Sequence, residues 1–164
     1  MPSDSCGFLF EPREGYLLER ASKYQLIYVD DNPGDQRLLK ESVRGRDHLQ
    51  LAVASSGEEL LTLLDQPEEL PRLVLLDWNL PGLSGVELLR RIKDDPKLRT
   101  TPVIVFTTNL PPDKVSAIYN ERANCIVEKP MAFDGFAELI DKIDEFWLRT
   151  TILPKGQVSL QAAG

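Results

Sequence analysis

Cysteine is scarce in this chain: Cys6 and Cys125 are the only two among 164 residues. Two are too few for a disulfide scaffold or, by themselves, for a zinc site. Each is expected as a reduced thiol, Cys6 in a tail and Cys125 as a small buried apolar residue. Histidine is scarcer still. His48 stands alone, and beside Arg46 and Asp47 it reads as a residue of a polar connection. Basic residues are outnumbered, with 19 Lys and Arg against 26 Asp and Glu and a net charge of -7. That balance argues against a general affinity for nucleic acid or anionic membrane. No apolar run approaches membrane-spanning length, and the N-terminus has no basic segment leading into a long apolar core. Internal repeats and low-complexity segments are also absent from the sequence. A single domain with one adequate core, located in the cytoplasm, is expected.

What is present is a regular alternation that begins near Tyr24. Gln25 to Val29 is a short apolar run that ends in Asp30 and Asp31, and Asn32, Pro33 and Gly34 then turn the chain. Asp35 to Arg44 reads as a helix with Leu38, Leu39 and Val43 on one stripe. Leu49, Leu51 and Val53 alternate with polar or small residues, as in a half-buried strand. Ser55 or Ser56 can cap the next helix, with Leu60, Leu61 and Leu64 on its apolar face. Leu73 to Leu76 has the character of a strand buried on both faces, and it ends abruptly in Asp77. A helix from Ser84 to about Lys93 should turn Val86, Leu89 and Ile92 inward. Val103 to Phe106 is a fourth strand ending at Thr107 and Thr108. Pro111 and Pro112 fit the first turn of a helix whose stripe is Val115, Ile118 and Tyr119. Cys125 to Val127 is a short fifth strand followed by Glu128, Lys129 and Pro130. From Phe133 to Trp147, apolar residues recur at steps of three and four, the strongest helical signal in the chain. Before this alternation, Tyr16, Leu17 and Leu18 suggest a short helical turn, and Gln157 to Gly164 suggest a disordered end.

Five βα units imply a parallel sheet covered by helices on both faces. The continuously apolar strands belong in the middle and the alternating and short ones at the edges. Right-handed crossovers then favour a doubly wound α/β fold with five strands in the order 2-1-3-4-5. In such a sheet, ligands bind beyond the carboxyl ends of the strands. The first and third strands are neighbours at about 4.8 Å, so Asp30, Asp31 and Asp77 crowd together. Three carboxylates so close repel one another unless a cation sits among them. Oxygen ligands without nearby His or Cys suit a hard cation such as Mg²⁺. Thr107 and Lys129 follow two further strands and offer a hydroxyl and an ammonium to the same rim. A nucleophilic carboxylate, a metal and fixed donors are what phosphoryl transfer needs, so Asp77 is read as a phosphoryl acceptor. Gly82 and Gly85 suit tight turns in the loop that follows it.

Four stretches carry a resemblance: VDDN from Val29, LLDWNLPGLSG from Leu75, VIVFTT from Val103 and EKP from Glu128. Over about Gln25 to Trp147 the chain resembles a receiver domain of two-component signalling, a flavodoxin-like fold. The resemblance implies a non-enzymatic phosphoacceptor, Asp77, served by a histidine kinase. It implies Mg²⁺ held by Asp30, Asp31, Asp77 and the backbone carbonyl of Asn79. It also implies that Thr107 and Lys129 hold the phosphoryl group and that the Lys129–Pro130 peptide is cis. Ile126 departs from the pattern, since many receivers carry an aromatic residue there that moves with the threonine.

The segment FWLRTTILP, from Phe146 to Pro154, is similar to the C-terminal extension of single-domain response regulators that pair with phytochrome-type histidine kinases. By that resemblance residues 1–23 form an N-terminal extension, 24–147 the receiver and 148–164 a C-terminal extension. A homodimer through the fourth helix, fifth strand, fifth helix and extension is implied, as is a bacteriophytochrome partner. The alternative is a tail folded back on its own domain. No DNA-binding module is expected after Trp147. Two other functions compete. A pseudo-receiver that never takes phosphate is motivated by Ile126. A phosphatase with an aspartyl intermediate would want a second acid two residues beyond Asp77, where Asn79 stands.

Overall fold

A computed structural model of the chain describes residues 25–65 and 70–154. The expected turn at Tyr16 to Leu18, the tail cysteine Cys6 and the segment from Gln157 onward lie outside the described residues. Strands and helices alternate throughout. They are β1 (Leu26–Val29), α1 (Pro33–Ser42), β2 (Leu51–Ala54), α2 (Gly57–Leu64), β3 (Leu73–Asp77), α3 (Gly85–Asp94), β4 (Val103–Thr107), α4 (Pro112–Asn120), β5 (Cys125–Glu128) and α5 (Phe133–Ile143). A stretch of π-helix, Asp144–Thr150, continues directly from α5. All strand pairs are parallel and run β2-β1-β3-β4-β5, the order that the sequence predicted.

Period-two alternation divides the strand side chains between two cores. Ile27, Val29, Val74, Leu76, Val103 and Val105 face one layer, where Leu60, Leu64, Leu88, Leu89, Ile92 and Ile118 of α2, α3 and α4 cover them. Leu26, Tyr28, Leu73, Leu75, Ile104 and Phe106 face the other, covered by Leu39 of α1 and by Phe136, Ile140 and Ile143 of α5. β1, β3 and β4 are buried along their whole length. Each fully buried Leu, Ile or Val adds about 1.5–3 kcal/mol over an exposed one, so the site stands on a well-packed sheet centre.

Several local expectations shift for identifiable reasons. α1 starts two residues early, because the Asn32 side chain accepts from the Gly34 and Asp35 N–H groups and Pro33 fits the first turn. In α3, Leu88 is buried and Val86 only half-buried, although Leu89 and Ile92 face inward as expected. The α4 stripe narrows to Ile118, and Tyr119 is exposed. β2 alternates in the opposite phase: Ala52 and Ala54 are its buried residues, with α2 packed in the same layer, while Leu51 and Val53 are half-buried against the other layer. Cys125 is half-buried rather than buried, because β5 is a sheet edge. Helical winding continues past Trp147, and Leu148 is buried in the second core.

Candidate functional site

Strand register brings the site together. Val29 pairs with Leu76, Asp77 with Phe106, and Thr107 with Glu128. Asp30, Asp77, Thr107 and Lys129 therefore stand in one row along the carboxyl rim of the sheet. Asp30 is fully buried, Asp77, Thr107 and Lys129 are nearly so, and Asp31 is exposed. One carboxylate oxygen from each of Asp30, Asp31 and Asp77 lies within 4.8 Å of the other two.

Backbone donors and a lysine hold the carboxylates in place. Asn32 N–H donates to Asp30 Oδ1 at 2.8 Å, and Asn79 N–H donates to Asp77 Oδ1 at 3.0 Å. The Lys129 ammonium donates to Asp30 Oδ2 at 2.7 Å and to Asp35 and Asp77 Oδ2 at 3.1 Å each. Lys129 N–H donates to Thr107 O at 2.9 Å, which ties the end of β5 to that of β4. The Thr107 hydroxyl donates to Thr108 O at 3.3 Å and accepts from the Asn79 side chain at 3.5 Å. Both contacts are long, so this hydroxyl is free to turn toward a better acceptor.

The loop after Asp77 needs its glycines for different reasons. Gly82 has a φ of 76°, in the left-handed region. Gly85 opens α3 against the Trp78 backbone, where an added Cβ would lie 3.0 Å from Trp78 Cα. Ser84 and Glu87 close a capping box there and fix where α3 begins.

One expectation is corrected. Among the described residues no peptide bond is cis, so Lys129–Pro130 is trans. Trans is favoured by about 0.5–1 kcal/mol before proline. The Pro130 ring sits in the space that Gly135 leaves open, where a Cβ would come within 2.7 Å.

Burial raises the Asp77 carboxyl above its ordinary range, against the lowering pull of the Asn79 N–H and the Lys129 charge. Burial alone would pull Lys129 down, but its bond to Asp30 and the charges of Asp30 and Asp77 outweigh that, and the ammonium is held protonated. One ammonium among four carboxylates leaves surplus negative charge on the rim. Oxygen donors of that number and closeness fit a hard divalent cation such as Mg²⁺.

Two residues that the sequence reading passed over also belong to this cluster. Asp35, in the first turn of α1, pairs with Lys129. Its signal was an acid one helical turn from Asp31, indistinguishable from ordinary first-turn chemistry. Tyr28 donates its phenol hydrogen to Asp30 Oδ2. Burial first and the Asp30 contact second push that phenol far above its usual pKa. The i, i+2 spacing on a strand was the available clue. A cleft of about 420 Å³ opens beside the row, reached by Trp78, Asn79, Thr107 and Lys114. His48, by contrast, lies away from this site and contacts Asp144 at 2.8 Å.

Residues 26–143, more than half of the chain, match the response regulator receiver domain family. The response regulator Rcp1 of Synechocystis sp. is 35% identical over 136 residues, which cover 79% of this chain and 92% of that protein. The phosphorylated cyanobacterial phytochrome response regulator RcpA has a similar crystal structure. Its TM-score is 0.73 at 32% identity, over 80% of this chain and 99% of that one. The crystal structure of the Mn²⁺-bound form of Rcp1 is similar with a TM-score of 0.71 at 32% identity, over 80% of this chain and 99% of that one.

Proposed function

The chain belongs to the response regulator receiver domain family, and on that premise we propose that it is a single-domain response regulator phosphorylated on Asp77 by a histidine kinase. The observation that carries this reading is the Asp77 carboxylate at the end of a buried strand, within reach of Asp30, Asp31 and Lys129. An Asp77 carboxylate oxygen attacks the phosphorus of a phosphohistidine. The new P–O bond forms as the P–N bond breaks, and the electron pair returns to the imidazole nitrogen. A bound Mg²⁺ supplies charge neutralisation for the carboxylates and the incoming phosphoryl oxygens. Asp30, Asp31, Asp77 and the Asn79 carbonyl are the residues that would hold it. Lys129 swings its ammonium from carboxylate to phosphoryl oxygen over a short distance, because it already touches Asp77. The Thr107 hydroxyl, held only by long contacts, turns to donate to a second phosphoryl oxygen.

In this reading residues 24–147 form the receiver, with extensions at 1–23 and 148–164, and the protein acts in the cytoplasm as a signalling partner rather than an enzyme. Slow loss of its own phosphoryl group would be the only turnover. The kinase is of phytochrome type, a bacteriophytochrome in the simplest case. Support comes from the phytochrome response regulator among the similar structures. A homodimer through α4, β5, α5 and the extension is favoured by exposed Tyr119 on α4, Phe133 on α5, Phe146 on the π-helical stretch that continues α5 and Ile152 on the extension. The net charge of -7 argues against nucleic acid as the target. Among the described residues no helix is long and apolar enough to cross a membrane.

The test is incubation with a small-molecule phosphodonor and Mg²⁺, followed by intact-protein mass spectrometry. One phosphoryl group, labile to hydroxylamine and absent from Asp77→Asn, is the expected result. Labelling that persists in Asp77→Asn refutes the assignment. The rival reading, a pseudo-receiver that never takes phosphate, draws on Ile126, and an unlabelled wild-type protein would favour it.

A further inference from the structure

Tyr28 touches the acidic row yet takes no part in the phosphoryl chemistry. It lies two residues before Asp30 in the direction of β1, so both side chains leave the sheet on one face. The ring is fully buried. Phe106 meets it edge-on at 5.9 Å and 74°, and Phe136 meets Phe106 edge-on at 5.9 Å and 87°. Tyr28 therefore has no room to turn away from Asp30.

The Asp30 carboxylate has a fixed donor on each oxygen. Asn32 N–H serves Oδ1 at 2.8 Å, and the Tyr28 hydroxyl serves Oδ2. Lys129 shares Oδ2 at 2.7 Å, but it sits at the end of a flexible four-carbon stem and is needed by the phosphoryl group. When Lys129 leaves, the backbone N–H and the phenol are what hold the carboxylate plane. A buried tyrosine needs some acceptor, and a backbone carbonyl would satisfy it equally well. Here the acceptor is a carboxylate that has one oxygen within 4.8 Å of an oxygen of Asp31 and of Asp77.

We propose that Tyr28 is a positioning residue for the divalent-cation site, its hydroxyl locking the Asp30 carboxylate toward Asp31 and Asp77. The proposal rests on the reading of those three carboxylates as a Mg²⁺ site. Loss of a partner that orients a ligand commonly weakens metal affinity about 10–100-fold. Tyr28→Phe keeps the ring and removes only the donor, so the core stays filled.

The experiment is calorimetric titration of Mg²⁺ into the full-length wild type, Tyr28→Phe and Asp30→Asn, with a tyrosine ultraviolet difference spectrum recorded on each. Wild type should bind and Asp30→Asn should not. Tyr28→Phe should bind about tenfold more weakly or worse, and the Mg²⁺-induced tyrosine signal of wild type should vanish in it. Binding by Tyr28→Phe that is tighter than wild type or within about twofold of it overturns the proposal, as does a wild-type tyrosine spectrum unmoved by Mg²⁺. Absence of Mg²⁺ uptake by wild type overturns the cation-site reading and this proposal with it. Should Tyr28→Phe not fold, Phe106→Leu, which frees the ring but keeps the hydroxyl, takes its place and should also weaken binding; unchanged affinity there overturns the proposal.

Discussion

Replacing Lys129 by Met removes the ammonium and keeps a stem of similar length. The ammonium lies 2.7 Å from Asp30 and 3.1 Å from both Asp35 and Asp77, with only 7% of the side chain exposed. At an effective dielectric of about 20, one unit charge pair at ~3 Å attracts by about 5 kcal/mol. Desolvation offsets much of that gross attraction, so the contacts do not add. Removing one partner of a buried ion pair costs about 3–5 kcal/mol, because the charge left behind is uncompensated. The Lys129 pKa is raised in the folded state, so its contribution is complete below the unfolded value and disappears only as pH climbs through the folded one. At pH 7 the whole contribution is therefore present. With a urea dependence of about 2 kcal/mol/M, the unfolding midpoint of Lys129→Met in a chelating buffer should fall by about 2 M. Mg²⁺ should restore more stability to the variant than it adds to wild type, since the cation replaces the charge that the lysine carried. A midpoint drop smaller than about 0.5 M, or an equal response to Mg²⁺ in both proteins, would refute this account of the rim.

Lys93 makes a pH prediction in a different window. Its buried ammonium donates to Thr101 O at 2.8 Å and Asn124 Oδ1 at 2.9 Å, and burial, then the Arg122 charge, pulls its pKa from 10.5 to about 8. Below pH 8 the lysine is charged in both states; above it the folded protein sheds the proton first, so stability should rise up to pH 10.5. The gain is about 3 kcal/mol across the window, read as a wild-type urea midpoint that climbs relative to that of Lys93→Met; a difference between the two proteins that does not grow with pH would refute it. The proposed dimer surface yields a third prediction: Phe146 and Ile152 are 57% and 88% exposed, so Phe146→Glu should leave the far-ultraviolet spectrum unchanged and convert the proposed dimer to a monomer in sedimentation, whereas a wild-type protein that is monomeric at every concentration would remove the proposed interface.

Much of the fold was legible because its signals are local. Leu73 to Leu76 declared a strand buried on both faces, and all of it is buried. The capping serines and the prolines of α4 marked helix starts close to where they fall. The errors occurred where a neighbour decides. Val86 and Leu88 both fit a helical stripe, and the layer shared with α2 and β1 chose Leu88. In β2 the larger residues looked like the inward face, but α2 packs over the alanines. The Lys129–Pro130 bond is trans, and the Pro130 ring packs into a space left by Gly135, a contact that no dipeptide pattern contains.

The same division separates the site's chemistry from its geometry. Residue type and position at successive strand ends determined that Asp30, Asp31, Asp77, Thr107 and Lys129 share one rim, because a parallel sheet places every carboxyl end on the same side. Only the tertiary structure decided how they touch. Lys129 reaches Asp30 across 99 positions of sequence and takes Asp35 as a third partner. Tyr28 became part of the site because Phe106 of β4, itself backed by Phe136 of α5, packs edge-on against its ring while its hydroxyl meets Asp30. Side-chain direction along a strand follows from local alternation, whereas contact between elements follows from packing, which depends on every residue in the layer at once.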